Sequence, residues 1–172
     1  MPVAYLDLPA GAAVDAKQTL LREVAQFVRE AYLIPDTRVV IREWGPGQIS
    51  IDGSLSRPLR PICNFFVPPG LPTEAKRHLM RCVSGAIADA CNLAREDVEL
   101  PSGNKVSTKW VLGFFSEYSL EQAALDDLMA FENPMVLDSL EAAMQTGRGF
   151  SALSVIARDR WAALPLARAG RR

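Results

Sequence analysis

Directly behind the first methionine stands Pro2, and no other residue of the chain offers as distinctive a chemistry. Because proline is small, Met1 is expected to be removed in maturation, which leaves a free secondary amine at the terminus. An ordinary α-amino group titrates at roughly 8, and apolar surroundings push a cationic amine lower. An amine that is neutral near neutrality can take a proton from a substrate and return it at another atom. Val3, Ala4 and Leu6 follow directly, and Trp44 and the aromatic residues of the second half are expected as neighbours. The plain alternative is a proline that only opens a strand.

Other constellations carry less. His78, the one histidine, sits among Lys76, Arg77 and Arg81 and reads as part of a solvated helix face. The cysteines Cys63, Cys82 and Cys91 are odd in number and lack CxxC spacing. That usage suits a reducing, cytoplasmic setting rather than a disulfide framework. With one histidine and no paired cysteines, no metal site and no cofactor are expected. Asp126-Asp127 reads as a helix surface, and Gly147-Arg148-Gly149 is too short for a phosphate loop.

Composition narrows the class further. The chain has 172 residues, 49% hydrophobic and 23% charged, with 19 Lys plus Arg against 20 Asp plus Glu and a formal net charge of -1. That length and apolar content support a real core. A balanced charge argues against a broad basic face for nucleic acid. No apolar run approaches the ~18 residues of a membrane span, and the N-terminus does not read as a secretory signal.

The elements that must position Pro2 come from an internal repeat. Displaced by 59 positions, Pro2 falls on Pro61, Pro9 on Pro68, Gly11 on Gly70, Lys17 on Lys76, Leu20 on Leu79, Arg22 on Arg81, Val24 on Val83 and Val39 on Val98. A duplicated supersecondary unit follows from this self-similarity. Each unit opens with an apolar, strand-forming stretch behind a proline, turns at a Pro/Gly pair, and continues with helical periodicity. Asp15 with Gln18, and Thr73, are the expected helix caps. Leu20, Leu21, Val24, Phe27, Val28 and Ala31 form the first apolar stripe; Leu79, Val83, Ala86, Ile87 and Ala90 form the second.

A second strand is expected over Arg38–Trp44, followed by a hairpin arm at Gln48–Gly53. In the second unit Pro101–Asn104 is an insertion that delays the matching strand to about Val106–Phe115. Parallel strands joined by a helix require a right-handed crossover. The expected fold is therefore α+β: duplicated β-α-β units, residues 2–53 and 61–118, forming a four-stranded mixed sheet with two helices on one face. Residues 1–118 make this domain. Residues 119–172 read as a helical C-terminal extension, with a capping box at Ser119 and Gln122 and helices near Ala123–Phe131, Met135–Gln145 and beyond Ser151.

Pro2-Val3-Ala4, Lys17, Leu20-Leu21-Arg22-Glu23-Val24, Arg38–Glu43 and Ile51-Asp52-Gly53 together resemble the tautomerase superfamily, in the pattern of 4-oxalocrotonate tautomerase. The doubled layout resembles the branch containing cis-3-chloroacrylic acid dehalogenase and malonate semialdehyde decarboxylase. The resemblance implies a cofactor-independent homotrimer acting on a small carboxylate, with Pro2 as general base. Arg38 matches the arginine that holds a substrate carboxylate, and a guanidinium fork suits that anion and a developing enolate. Arg42, on the same strand, is the second candidate for substrate binding.

The departures also count. The family's arginine after the first turn falls on Ala12, no arginine occupies Val67–Pro72, a histidine position of the dehalogenase holds Val28, and its glutamate lands near Leu125. Pro61 has an amide nitrogen inside the chain and cannot replace Pro2. Tautomerisation needs only a proton shuttle and a carboxylate anchor, and is the expected reaction. A decarboxylase or dehalogenase is the alternative, with Arg60 or Arg148 filling in for the missing arginines. A non-catalytic trimeric scaffold is the third reading.

Overall fold

The first apolar stretch becomes a central strand, β1 (Val3–Pro9), whose alternate residues Ala4, Leu6 and Leu8 are fully buried. The computed structural model describes residues 2–34, 36–51, 53–55, 60–108 and 110–118, and isolated positions at 124, 125, 128, 129, 134 and 138. Helix α1 (Val14–Tyr32) follows, then strand β2 (Arg38–Trp44) and a short hairpin of β3 (Ser50–Ile51) with β4 (Ser54–Leu55). The second unit repeats this with β5 (Ile62–Val67) and α2 (Thr73–Ala90). It then adds a hairpin, β6 (Glu96–Glu99) with β7 (Lys105–Thr108), before strand β8 (Leu112–Glu117).

The four long strands form one sheet in the order β2-β1-β5-β8. β1 and β2 run parallel with Val3 opposite Arg38, and β5 and β8 run parallel with Ile62 opposite Leu112. Between the units the pairing is antiparallel, from Val3 opposite Phe66 to Asp7 opposite Ile62. The duplicated β-α-β layout and its mixed sheet are therefore as the repeat implies. Even the backbone bond at each unit's head is repeated: Arg38 donates to the Pro2 carbonyl at 3.0 Å, and Leu112 to that of Pro61 at 2.9 Å.

Alternation decides which sheet face the helices cover. Leu20, Val24, Val28 and Tyr32 of α1, with Leu79, Val83 and Ile87 of α2, pack against Ala4, Leu6, Leu8, Cys63, Phe65 and Val67. Burying an aliphatic side chain contributes about 1.5–3 kcal/mol, so this layer dominates the stability of the sheet. The other face carries Val3, Tyr5, Arg38, Val40, Arg42, Asn64, Phe66, Leu112 and Phe114 at the alternate positions. There Val40, Phe66, Leu112 and Phe114 are between 40% and 51% exposed, an apolar strip with no helix over it among the described residues.

Several details differ from the sequence expectation. The helices begin one or two residues earlier than their expected caps: Ala13 and Pro72 occupy the N-cap positions, neither with a side-chain hydrogen bond. Their carbonyls accept the first helical bonds, from the Lys17 and Lys76 amides at 3.0 Å each. Asp15 thus lies inside the first turn, where a carboxylate meets the positive end of the helix dipole. The counterpart of β2 is β8, not a strand beginning near Val106. Val98, which matches Val39 by displacement, lies in the inserted β6–β7 hairpin.

In the extension, the positions expected in a helix pair as strands: β9 (Ala124–Leu125) is antiparallel to β10 (Leu128–Met129), with Leu125 opposite Leu128. The two residues between them in sequence are aspartates, a residue type that competes with the helical backbone and favours turns. Positions 134 and 138 are helical. The remaining helices expected over residues 119–172 lie outside the described residues. Among the described residues no helix is long and apolar enough to cross a membrane.

Candidate functional site

Pro2 is buried at the head of the central strand, on the sheet face that the helices cover. Its position follows from two constraints. β1 has neighbours on both sides, and the Pro2 carbonyl is held by the Arg38 amide. The alternation that buries Ala4, Leu6 and Leu8 puts Pro2 on the same face.

Thr37 lies one ladder position before Arg38, level with Pro2 and, by the same alternation, on the helix face. Its hydroxyl oxygen is buried and has no hydrogen-bond partner among the described residues. A buried hydroxyl without a partner costs about 1–3 kcal/mol, so such a group is rare unless it serves something else. Nothing in the sequence pattern singled out Thr37; its signal is its place in the ladder, immediately before Arg38.

The end of β8 closes the same end of the sheet. Val67 pairs with Glu117, and Tyr118 donates its amide to the Val67 carbonyl at 3.0 Å. Lys76 of α2 pairs with Glu117 at 2.5 Å. Burial pushes the Tyr118 phenol up to about 12. Tyr32, at the last turn of α1, is raised further by burial and by the nearby charges of Glu117 and Tyr118. Both phenols therefore stay protonated at neutral pH.

The arginines separate clearly. Arg38 is joined to Pro2 through the backbone, but its side chain leaves the sheet on the open face, pairs with Asp36 at 3.3 Å and is 55% exposed. Arg42 stands four residues further along β2, roughly 13 Å from Arg38 at the usual strand rise. Its Nε and Nη2 donate to the two carboxylate oxygens of Asp7 at 2.7 Å each, and its guanidinium lies 4.8 Å from the Tyr5 ring centre. The hydrogen bond to Asp7 raises the Arg42 pKa above its ordinary value. Asp7 is 35 residues away in sequence, so no local pattern announced this pair.

Two expected neighbours of Pro2 lie elsewhere. Trp44 pairs with Pro9 at the opposite end of β1, because the parallel register runs the full length of both strands. Arg60 stacks at 4.1 Å over Trp110 beside the head of β5, which is also the end remote from Pro2, since β5 is antiparallel to β1. Of the second-half aromatics, Phe66 is opposite Val3 and closest in the ladder to Pro2. Arg148 lies outside the described residues. Among those described, no group of three or more His, Cys, Asp or Glu side chains is placed to hold a metal ion.

No protein-family model and no curated protein matches this chain. Solved structures match its fold. A fused 4-OT, itself a symmetric trimer, superposes with a TM-score of 0.59 at 15% identity, over 74% of this chain and 94% of that one. The protein Pt0534, captured after inactivation by 2-oxo-3-pentynoate, gives 0.57 at 13% identity over 74% and 94%. Macrophage migration inhibitory factor from Toxoplasma gondii gives 0.56 at 16% identity over 74% and 98%. The chain thus has the fold expected from its resemblance to the tautomerase superfamily.

Proposed function

We propose that this chain is a cofactor-independent tautomerase of a small 2-oxo or enol carboxylate, with Pro2 as its general base. The observation that carries the reading is the burial of Pro2 at the head of the central strand. Once Met1 is removed, the low-dielectric setting disfavours the ammonium form and leaves a base near neutral pH. Its fixed carbonyl sets the direction of the lone pair.

In the forward direction the neutral Pro2 amine takes the proton of the enol hydroxyl. The oxygen lone pair forms the carbonyl at C2, and the C2–C3 double-bond electrons take a proton back from the prolinium at C3. No atom is gained or lost. The buried Thr37 hydroxyl is the polar group nearest to the amine along the ladder, able to accept from the prolinium and donate to the free base. Arg38 binds the substrate carboxylate. Its projection from the open face means that it serves the Pro2 of a neighbouring chain.

That requirement is met by a homotrimer. The exposed strip of Val40, Phe66, Leu112 and Phe114 is the apolar surface such an assembly would cover. The fused 4-OT with this fold is a trimer. Native mass spectrometry of the full chain should give three times 18.8 kDa. Residues 119–172 are a separate extension in this reading.

The test is mass spectrometry of the mature N-terminus, with 2-oxo-3-pentynoate as covalent probe and phenylenolpyruvate ketonisation as the assay. One adduct per chain at Pro2, with loss of ketonisation, supports the reading. A retained Met1, or ketonisation untouched by labelling, sinks it and leaves a trimeric scaffold as the better account.

A further inference from the structure

We propose that the cleft between α2 and the β6–β7 hairpin is a second ligand site, one that takes a phosphate monoester carrying an apolar body. The cavity measures about 660 Å³ and contains none of Pro2, Thr37 or Arg38. Cavities of roughly 300–1,000 Å³ are the size that holds metabolites.

Four cations line it: Lys76, Arg77 and Arg81 from α2, and Arg95 from the turn that follows. The helical spacing of the first three sends them to one side of α2. Two have acidic partners, Lys76 with Glu117 and Arg77 with Glu74. No carboxylate among the described residues lies within ion-pair distance of Arg81 or Arg95. The cleft therefore holds two guanidinium groups without a carboxylate partner among the described residues, which match the dianion of a phosphate monoester. The hydroxyls of Ser84 on the helix side and of Ser107 and Thr108 on the hairpin side add neutral donors. Met80, Val111 and Phe115 give the apolar surface against which the ester's organic group would pack.

The internal repeat supplies a control. Lys17 and Glu43 of the first unit hold the same ion pair as Lys76 and Glu117. Gln18, however, stands where Arg77 stands, and α1 leads directly to β2 with no hairpin between them. The hairpin is an addition of the second unit, fixed by a 2.6 Å hydrogen bond from the Trp110 indole to Glu96. It forms one wall of the cleft, with Ser107 and Thr108. Gly85 leaves the helix side of the cleft open, since a Cβ there would meet nothing within 4 Å.

Titration of the full-length protein with phenyl phosphate, read by calorimetry, tests the site. One equivalent per chain should bind, more weakly as salt rises. Arg81→Ala and Arg95→Ala should each weaken binding about tenfold or more. Arg22→Ala, the repeat counterpart of Arg81, and Pro2→Ala should leave binding unchanged, which separates this site from the proline chemistry. Thermal melts of each variant check that the fold is intact. Absence of saturable binding, or binding insensitive to both cleft arginines in folded variants, overturns the proposal. Phenylsuccinate bound as tightly as phenyl phosphate overturns the assignment to a phosphate monoester.

Discussion

Lys17 on α1 reaches Glu43 on β2 at 3.0 Å, and the second unit restates that bond between Lys76 and Glu117. Each pair ties the first turn of a crossover helix to the last part of the parallel strand it feeds. All four side chains are about a quarter to a third exposed, so screening by water limits their worth. Double-mutant cycles with Lys→Met and Glu→Gln, read by urea unfolding, should give couplings of about 0.2–1 kcal/mol for both pairs. A markedly larger value at Lys76–Glu117 would mean that the second pair is far less solvated than the first.

Removing the proline ring tests the base. Pro2→Ala replaces the secondary amine with a primary one and frees the terminal torsion. Phenylenolpyruvate ketonisation should fall by about 10²–10⁴ in kcat/KM, the range of one general base. An activity within a fewfold of the parent would remove Pro2 from the mechanism.

Thr37 separates stability from activity. Thr37→Val exchanges a buried hydroxyl, without a partner among the described residues, for a methyl group of the same shape. The free protein should gain about 1 kcal/mol against urea. If the hydroxyl supports the Pro2 amine, kcat should drop about tenfold and the limb of the pH–rate profile assigned to the amine should shift. A stability gain with an unmoved profile would leave Thr37 as a packing residue.

Alkaline titration reads the buried acids. Burial raises the Cys63 thiol from 9.0 to about 12 and the Tyr118 phenol from 10.0 to about 12. Both groups hold their protons more tightly in the folded chain than in the unfolded one. The stability they contribute is complete below their unfolded values and is lost as pH climbs toward 12. The melting temperature should therefore fall from about pH 9 upward, less steeply in Cys63→Ala and Tyr118→Phe when each is compared with its own value at pH 7. A melting temperature flat to pH 11 would contradict the burial of both groups.

Gly113 is held small by Met80. A Cβ at Gly113 would come within 2.3 Å of the Met80 sulfur and terminal methyl, and 3.2 Å of the Cys63 sulfur. Met80 is flexible and faces the cleft, so Gly113→Ala should fold with a loss of about 1 kcal/mol and push Met80 into the cavity. Pairing it with Met80→Ala should relieve the contact, and unfolding of the two variants by urea checks it.

What the sequence made readable, and what it hid, follows from range. The stripe Leu20, Val24 and Val28, its copy Leu79, Val83 and Ile87, and the duplicated prolines are local patterns, and they predict the helices, the crossovers and the sheet. The repeat misleads at Val98, because Glu96–Glu99 imitates the alternation of β2 while belonging to an inserted hairpin. The helix starts are hidden because Ala13 and Pro72, at the N-cap positions, carry no capping side chain to mark them. Of the candidate residues, Pro2 stands out by its place behind Met1 at the head of the first unit, and Arg38 by the family resemblance alone. The partnership of Arg42 with Asp7, the remoteness of Trp44 and Arg60, and the burial of the Thr37 hydroxyl depend on strand register. A single sequence carries no direct mark of that.

Pro61 occupies the place of Pro2 under the repeat, with the same carbonyl bond to the strand beside it. Its nitrogen is an amide, so the second pole of the pseudo-symmetric sheet has the scaffold of the site without a titratable amine. On the proposed function, proton transfer constrains the first half of the chain and not the second. The second half is the one that carries the β6–β7 hairpin and the cleft beside it, so the proposed chemistry leaves that half open to a different occupation.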